Sequence, residues 1–239
     1  MKGLTALMLT LAITGCQARS QQPPTQVIYR FDDHRYLELK GYDCEGELWY
    51  TDTIRGIHTE PVSQFYHIFT HKFMHPSARY IAIPGWGTVM GGFKVSKDYG
   101  QTWELGSASM SPGPNEPNGD NAPYYDDVLS VTVINDQGFL QTKHSLYTSS
   151  KPFEDPRILP GGPGIPYRLE NGKVQVLEAQ YPGEAWGMVY MTKLGLEGTT
   201  QILKTNWQDL PDHVPEVKNY QGWDHMRCDM DAGKVAKKL

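Results

Sequence analysis

Helical periodicity is scarce in this sequence, positive charge is in the minority, and the common catalytic signatures are missing. The best helical candidate is "PVSQFYHIFTHKFMH", Pro61 to His75, closed by Pro76, which leaves little from which to build an α or α/β domain. Lysine and arginine number 22 against 27 aspartates and glutamates, a net charge of −5. A nucleic-acid binder needs a basic face to neutralise phosphates, so this balance argues against nucleic acid and suits a basic protein partner. There is no G-x-S-x-G elbow for a nucleophile and no H-E-x-x-H for zinc. The stretch "LPGGPGIPY", Leu159 to Tyr167, is glycine-rich but lacks the Lys-Ser/Thr of a phosphate loop. No nucleophile, base and orienter can be nominated, so the expected catalytic and metal-ligand sets are empty and no cofactor is implied.

What the chain does carry begins at its N-terminus. Behind Lys2, the apolar run Leu4 to Ile13 is too short to span a bilayer. It ends in Ile13-Thr14-Gly15-Cys16, which resembles a bacterial lipobox. An ordinary secretory signal with a chance cysteine is the alternative. On the lipobox reading, residues 1–15 are a lipoprotein signal peptide and Cys16 becomes the acylated first residue. Two acyl chains already suffice for stable anchoring. Gln17 in place of Asp favours the outer membrane by resemblance to enterobacterial sorting. Residues 16–26 then form a polar tether, and 27–239 a single β domain. Removing fifteen of 239 residues leaves 224, and the loss of Lys2 takes the net charge from −5 to −6. With 39% hydrophobic and 11% aromatic residues, the mature chain has enough apolar surface for a core.

The clearest internal motif is "VSKDYGQTWEL", which holds Ser96, Asp98, Gly100, Thr102 and Trp103. Ser and Asp can bond nearby backbone N–H groups across a tight bend. Gly100 supplies positive φ. Thr102 and Trp103 restart a strand, with the indole laid back over the hairpin and buried. The pattern resembles the Asp-box of sialidases and other β-propellers, where it staples the fold away from the active centre. Three other segments share a strand ending in a hydroxyl and a polar turn, then a second strand. The hydroxyls Thr51, Ser96, Ser149 and Thr192 stand 45, 53 and 43 residues apart, close to one propeller blade. Further strand candidates precede them: "RYLEL", "RYIAIP", "SVTVI" and "VQVLEA". "NDQG" and "ENGK" read as hairpin turns. The expected fold is all-β, a propeller-like array of about four small antiparallel sheets, with an irregular β-sandwich as the alternative.

Of three cysteines, Cys44 and Cys228 remain once Cys16 is acylated. A periplasmic location permits a disulfide between them; two free buried thiols are the alternative. His67, His71 and His75 stand at i, i+4 and i+8, one face of a helix if Pro61–His75 is helical. Structural or surface histidines are the favoured reading over a metal site. The stretch Ser111 to Asp127 is a long loop, and its acidic and aromatic residues Asp120, Tyr124, Tyr125, Asp126 and Asp127 make it an interaction candidate. A solvated connector is the alternative, and the EF-hand order of ligands is absent. The turn Asp32-Asp33-His34 is similarly acidic.

Taken together, "YRFDDHRYLELKGYDCEGELWYTDTIRGIHTEPVSQ" behind a lipobox, "FKVSKDYGQTW" and "GWDHMRCDM" make the chain resemble the lipoprotein immunity proteins that protect bacteria against type VI secretion lipase effectors. The resemblance implies a periplasmic protein that binds a cognate lipase or phospholipase toxin and blocks it, with no chemistry of its own. Two rival readings remain open: a sialidase-like glycoside hydrolase, suggested by the Asp-box, and a structural envelope lipoprotein. A sialidase needs an arginine trio, and nothing in the sequence groups three of its arginines.

Overall fold

The computed structural model describes residues 22–234 apart from 91, 109–115, 119–121, 153–154, 160, 169–170, 180–184, 199–204 and 208. The lipobox with Cys16, most of the tether and Asp120 lie outside the described residues. The described chain is all-β, as its alternating patterns lead one to expect. It has fourteen strands and three short 3-10 turns.

The first unit is an antiparallel meander of β1 (Thr25–Arg30), β2 (Arg35–Tyr42), β3 (Glu45–Asp52) and β4 (Ile57–His67). Its turns are built from side chains. Asp32 accepts the backbone N–H groups of His34 and Arg35 at 3.1 and 2.7 Å. Asp52 does the same for Ile54 and Arg55, both at 3.1 Å. Asp43 and Cys44, at φ 54° and 60°, form the two-residue turn between β2 and β3, the primed geometry that matches strand twist. In β2, buried and partly exposed residues alternate strictly, which places Leu37 and Leu39 in the core.

Two further meanders follow. One is β6 (Ile81–Pro84), β7 (Phe93–Ser96) and β8 (Glu104–Ala108). The other is β9 (Val128–Ile134), β10 (Gln137–Thr142) and β11 (Leu146–Ser149), whose first turn is the expected "NDQG", with Asn135 and Asp136 at φ 54° and 56°. The short β14 (Val189–Met191) joins them, antiparallel to β11 and parallel to β8. With β5 (Lys72–Met74) added beside β9, they make one eight-stranded sheet. A fourth unit is the hairpin β12 (Ile165–Arg168) and β13 (Val174–Leu177); of the expected "ENGK" turn between them, Asn171 to Lys173 are described, with Gly172 at φ 82°.

Two details differ from expectation. After Ser149 and Thr192 the chain enters 3-10 turns, at Pro156–Ile158 and Leu194–Gly198, not a second strand. Pro152 and Pro156 lack the N–H a ladder needs, and Asp155 caps the first turn by accepting from Arg157 N. The segment Pro61–His75 is also not helical. It forms most of β4, a break, and β5. Pro61 is tolerated because β4 is the last strand of its sheet.

The C-terminal segment closes the seam between the two large sheets. Trp223 N donates to Arg30 O and Arg227 N to Ile28 O, both at 2.8 Å, while Phe73 N donates to Asp224 O at 2.8 Å. Residues 223–227 thus lie between β1 and β5. The Cys44–Cys228 disulfide, with Cα atoms 5.9 Å apart, pins this strip to the β2–β3 turn. One core runs beneath both sheets, with Tyr29, Tyr50, Phe69, Phe73, Tyr80 and Phe93 fully enclosed.

Candidate interaction surface

The Ser96–Trp103 turn directs Ser96, Asp98 and Thr102 onto one another and onto the turn's own backbone. Ser96 Oγ accepts from Gly100 N at 2.8 Å and donates to Asp98 Oδ1 at 2.7 Å. Asp98 also accepts from Gln101 N at 3.1 Å, Thr102 N at 3.0 Å and Thr102 Oγ1 at 2.6 Å. Burial alone would raise the Asp98 carboxyl, but the bonds from Thr102, Ser96 and Gln101 outweigh it and hold it below the usual carboxylate range. Gly100 has φ 93°, and a Cβ there would collide with the Tyr50 ring. Trp103, expected to be buried, is only half-buried: it stands edge-on to Tyr50 at the margin of the core, where its Nε1 donates to Thr59 Oγ1 at 2.9 Å. Of the bonds to Asp98, three fall on Oδ1 and one on Oδ2, so the carboxylate is committed chiefly to its own turn.

Arginines that a glycosidase would gather are dispersed. Arg35 pairs with Asp32, Arg55 with Asp52, Arg79 with Asp136 and Arg157 with Asp155. The three histidines are likewise apart in role. His67 Nε2 meets Glu45 at 3.1 Å, and His71 packs against Tyr125. His75 is fully buried and accepts Ala82 N at 3.1 Å. Desolvation, helped by the charge of Arg35, pushes His75 down to about 3.

In the Asp32–His34 turn, Asp32 is committed to backbone N–H groups and to Arg35 Nε at 2.7 Å. Asp33 is exposed, and the His34 ring at 2.9 Å holds its carboxyl below the ordinary range. These three form the tightest grouping of potential metal ligands among the described residues, but Asp32 is already engaged.

In the second candidate loop, Tyr124 and Asp126 face solvent, and Asp127 is half-buried with Lys143 at 3.0 Å. Tyr125 is buried instead. Its hydroxyl accepts Thr70 N at 2.9 Å, and its ring packs on Phe69 and His71. A 3-10 turn over Tyr125–Asp127 sends neighbouring tyrosines to opposite sides. Tyr125 therefore supports the loop from beneath.

One feature was not anticipated from sequence. A groove of about 230 Å³ lies between β4 and the β6–β8 meander. Its floor is Tyr66, Ile83 and Phe93, all buried. Its rim carries Phe65, Trp86, Val89 and Leu105, exposed by 74, 59, 37 and 72%. Phe65 points out because β4 bulges: Gly46 pairs with Tyr66, while Leu48 pairs with Val62. Phe65 takes up the slack at φ 57°, a conformation that is rare for a bulky residue. Trp86 lies over His67 with ring centroids 4.8 Å apart. The Tyr124 loop abuts this rim, through a Val89–Tyr124 bridge and Met90 N donating to Pro123 O at 2.7 Å. Two sequence signals pointed here. Phe65 and Tyr66 are adjacent aromatics, so alternation sends one of them outward, and Trp86 sits between two glycines.

The fold and this surface define an all-β domain with an apolar groove rimmed by exposed aromatic and aliphatic side chains. Comparison with protein families supplies the particular assignment. The model for the "T6SS Tli3 immunity protein" matches residues 21–140, half of the chain, and the chain belongs to that type VI secretion immunity family. The match spans the first meander, the groove and the Tyr124 loop. No curated protein matches the chain. Among the described residues no helix is long and apolar enough to cross a membrane.

Proposed function

We propose that this immunity protein neutralises a lipase or phospholipase effector in the periplasm by forming a stoichiometric complex, without chemistry of its own. The observation that carries this reading is the exposed aromatic rim of Phe65, Trp86 and Tyr124 beside the acidic Asp126–Asp127 turn. Rigid aromatic anchors supply most of the energy in protein interfaces, and nearby charge steers encounter. The disulfide supports an oxidising compartment. Acyl chains on Cys16 would hold the domain at the outer membrane, where such a toxin meets lipid. Tyr124, Asp126 and Asp127 are the proposed contacts nearest the groove. Asp33, on its turn shaped by Asp32 and His34, is a second acidic point, and Asp120, four positions before Tyr124 in the sequence, is a further candidate. Affinity purification of the membrane-tethered protein from cells producing the organism's lipase effectors tests the reading. Co-elution of one effector at a one-to-one ratio is expected. Protection of cells with no complex at any salt concentration would rule it out.

A further inference from the structure

Resting on that reading, we infer that the groove between β4 and the β6–β8 meander receives an extended segment of the effector. That segment inserts an apolar side chain and places a neighbouring carboxylate on Lys94. Three observations define this occupant. First, the groove is small. At about 230 Å³ it falls below the range of drug-sized ligand sites and suits one large side chain. Its floor is apolar and its walls are aromatic, the environment of an interface anchor pocket.

Second, the groove lining itself carries a positive charge, while the acidic Asp126–Asp127 turn stands outside it, beyond Tyr124 on the rim. Lys94 lines the groove and makes no ion pair among the described residues. Its charged neighbours are occupied, His67 by Glu45 at 3.1 Å and Lys97 by Glu104 at 3.5 Å. In a chain of net charge −5, a free ammonium beside an apolar slot selects an acid next to a hydrophobe.

Third, the wall is a free strand edge. β4 is the terminal strand of its sheet, so its outer N–H and C=O groups are available to another strand. Pro61 has no N–H, which limits pairing to the stretch from Val62 to His67 that lines the groove. This edge favours a peptide over a lipid, which has no backbone to pair with it. The bulge that turns Phe65 outward sits on the same stretch. Strained conformations of this kind cluster at ligand clamps.

The test uses the mature chain from residue 16 carrying C16S, and the effector captured above with its nucleophile replaced. Binding kinetics are measured for Trp86→Ala, Leu105→Asp, Lys94→Glu and Phe65→Gly, with Ile54→Asp as the control. Ile54 is 73% exposed and outside the groove. Trp86→Ala and Leu105→Asp are expected to weaken binding at least 30-fold. Lys94→Glu should slow association at low salt and flatten its salt dependence. Phe65→Gly should weaken binding while leaving the melting temperature unchanged or higher, because glycine accepts positive φ. The control should bind as the parent does. Normal binding by all four groove variants overturns the docking site and leaves the immunity reading intact. Failure to capture any effector removes both. Phosphatidylglycerol vesicles and a solution mass measurement provide the other arms. If the groove variants lose only vesicle binding, or only a dimer of the parent, the face belongs to lipid or to a second copy, and the proposal fails.

Discussion

Replacing Asp98 with alanine separates a fold staple from a functional carboxylate. Four hydrogen bonds converge on this side chain, from Ser96 Oγ, Gln101 N, Thr102 N and Thr102 Oγ1. Bonds to a charged acceptor contribute about 1.5–3 kcal/mol each when nothing replaces them. Gln101 and Thr102 are exposed, so water takes over most of their share. Ser96 is 1% exposed and keeps an unpaired hydroxyl. The expected net loss is about 2–3 kcal/mol. For a domain of this size that corresponds to a melting temperature lower by roughly 5–10 °C. The folded carboxyl is held below its ordinary range, so its contribution is complete above about pH 4 and fades as pH falls through the folded value. Thermal unfolding of Asp98→Ala and the parent, from pH 7 down to pH 3, should show curves that converge in acid. An unchanged melting temperature at pH 7, coupled to lost protection of cells, would refute the staple reading and make the carboxylate part of a contact or a reaction.

His75 should make the domain acid-sensitive. Its folded value is about 3 against about 6.5 unfolded, so the stability it protects is complete above pH 6.5. That stability falls by up to about 1.4 kcal/mol per pH unit below; denaturant titrations at pH 7 and 5 should differ by about 2 kcal/mol, and His75→Gln should narrow the gap. Cys228→Ser should cost about 2–5 kcal/mol and free the C-terminal strip; limited proteolysis in the 219–234 stretch would report it, and unchanged resistance would count against the strip as a seam. Cys16→Ser should end fatty-acid labelling and membrane fractionation; undiminished labelling would remove the lipobox reading.

Local chemistry made much of this fold legible. Strict alternation in "RYLEL" and turn residues in "NDQG" act within a few positions, and both elements form where the pattern places them. The hydrogen bonds among Ser96, Asp98 and Thr102 are local and follow from the turn's own side chains, whereas Trp103 reaches Thr59 on β4. What escaped was set by distant partners. His67, His71 and His75 share helical spacing, but edge pairing of β4 with β3 and of β5 with β9 overrode it. Tyr124 and Tyr125 are chemically alike, and only the packing of Phe69 and His71 decides which one is buried. The groove draws on four strands whose register depends on a bulge, and no short window of sequence contains it. The cysteine pair was countable from sequence, whereas the role of the strip it pins, between β1 and β5, required the sheet order.

The central claim is inhibition by complex formation, and a titration measures it most directly. A fixed amount of purified lipase effector is mixed with increasing amounts of the mature chain, and phospholipid hydrolysis is followed. Activity should fall linearly to zero at a one-to-one ratio, with a complex of matching mass. Full effector activity at a tenfold excess of this chain, in an assay where cells carrying it survive, would contradict the account.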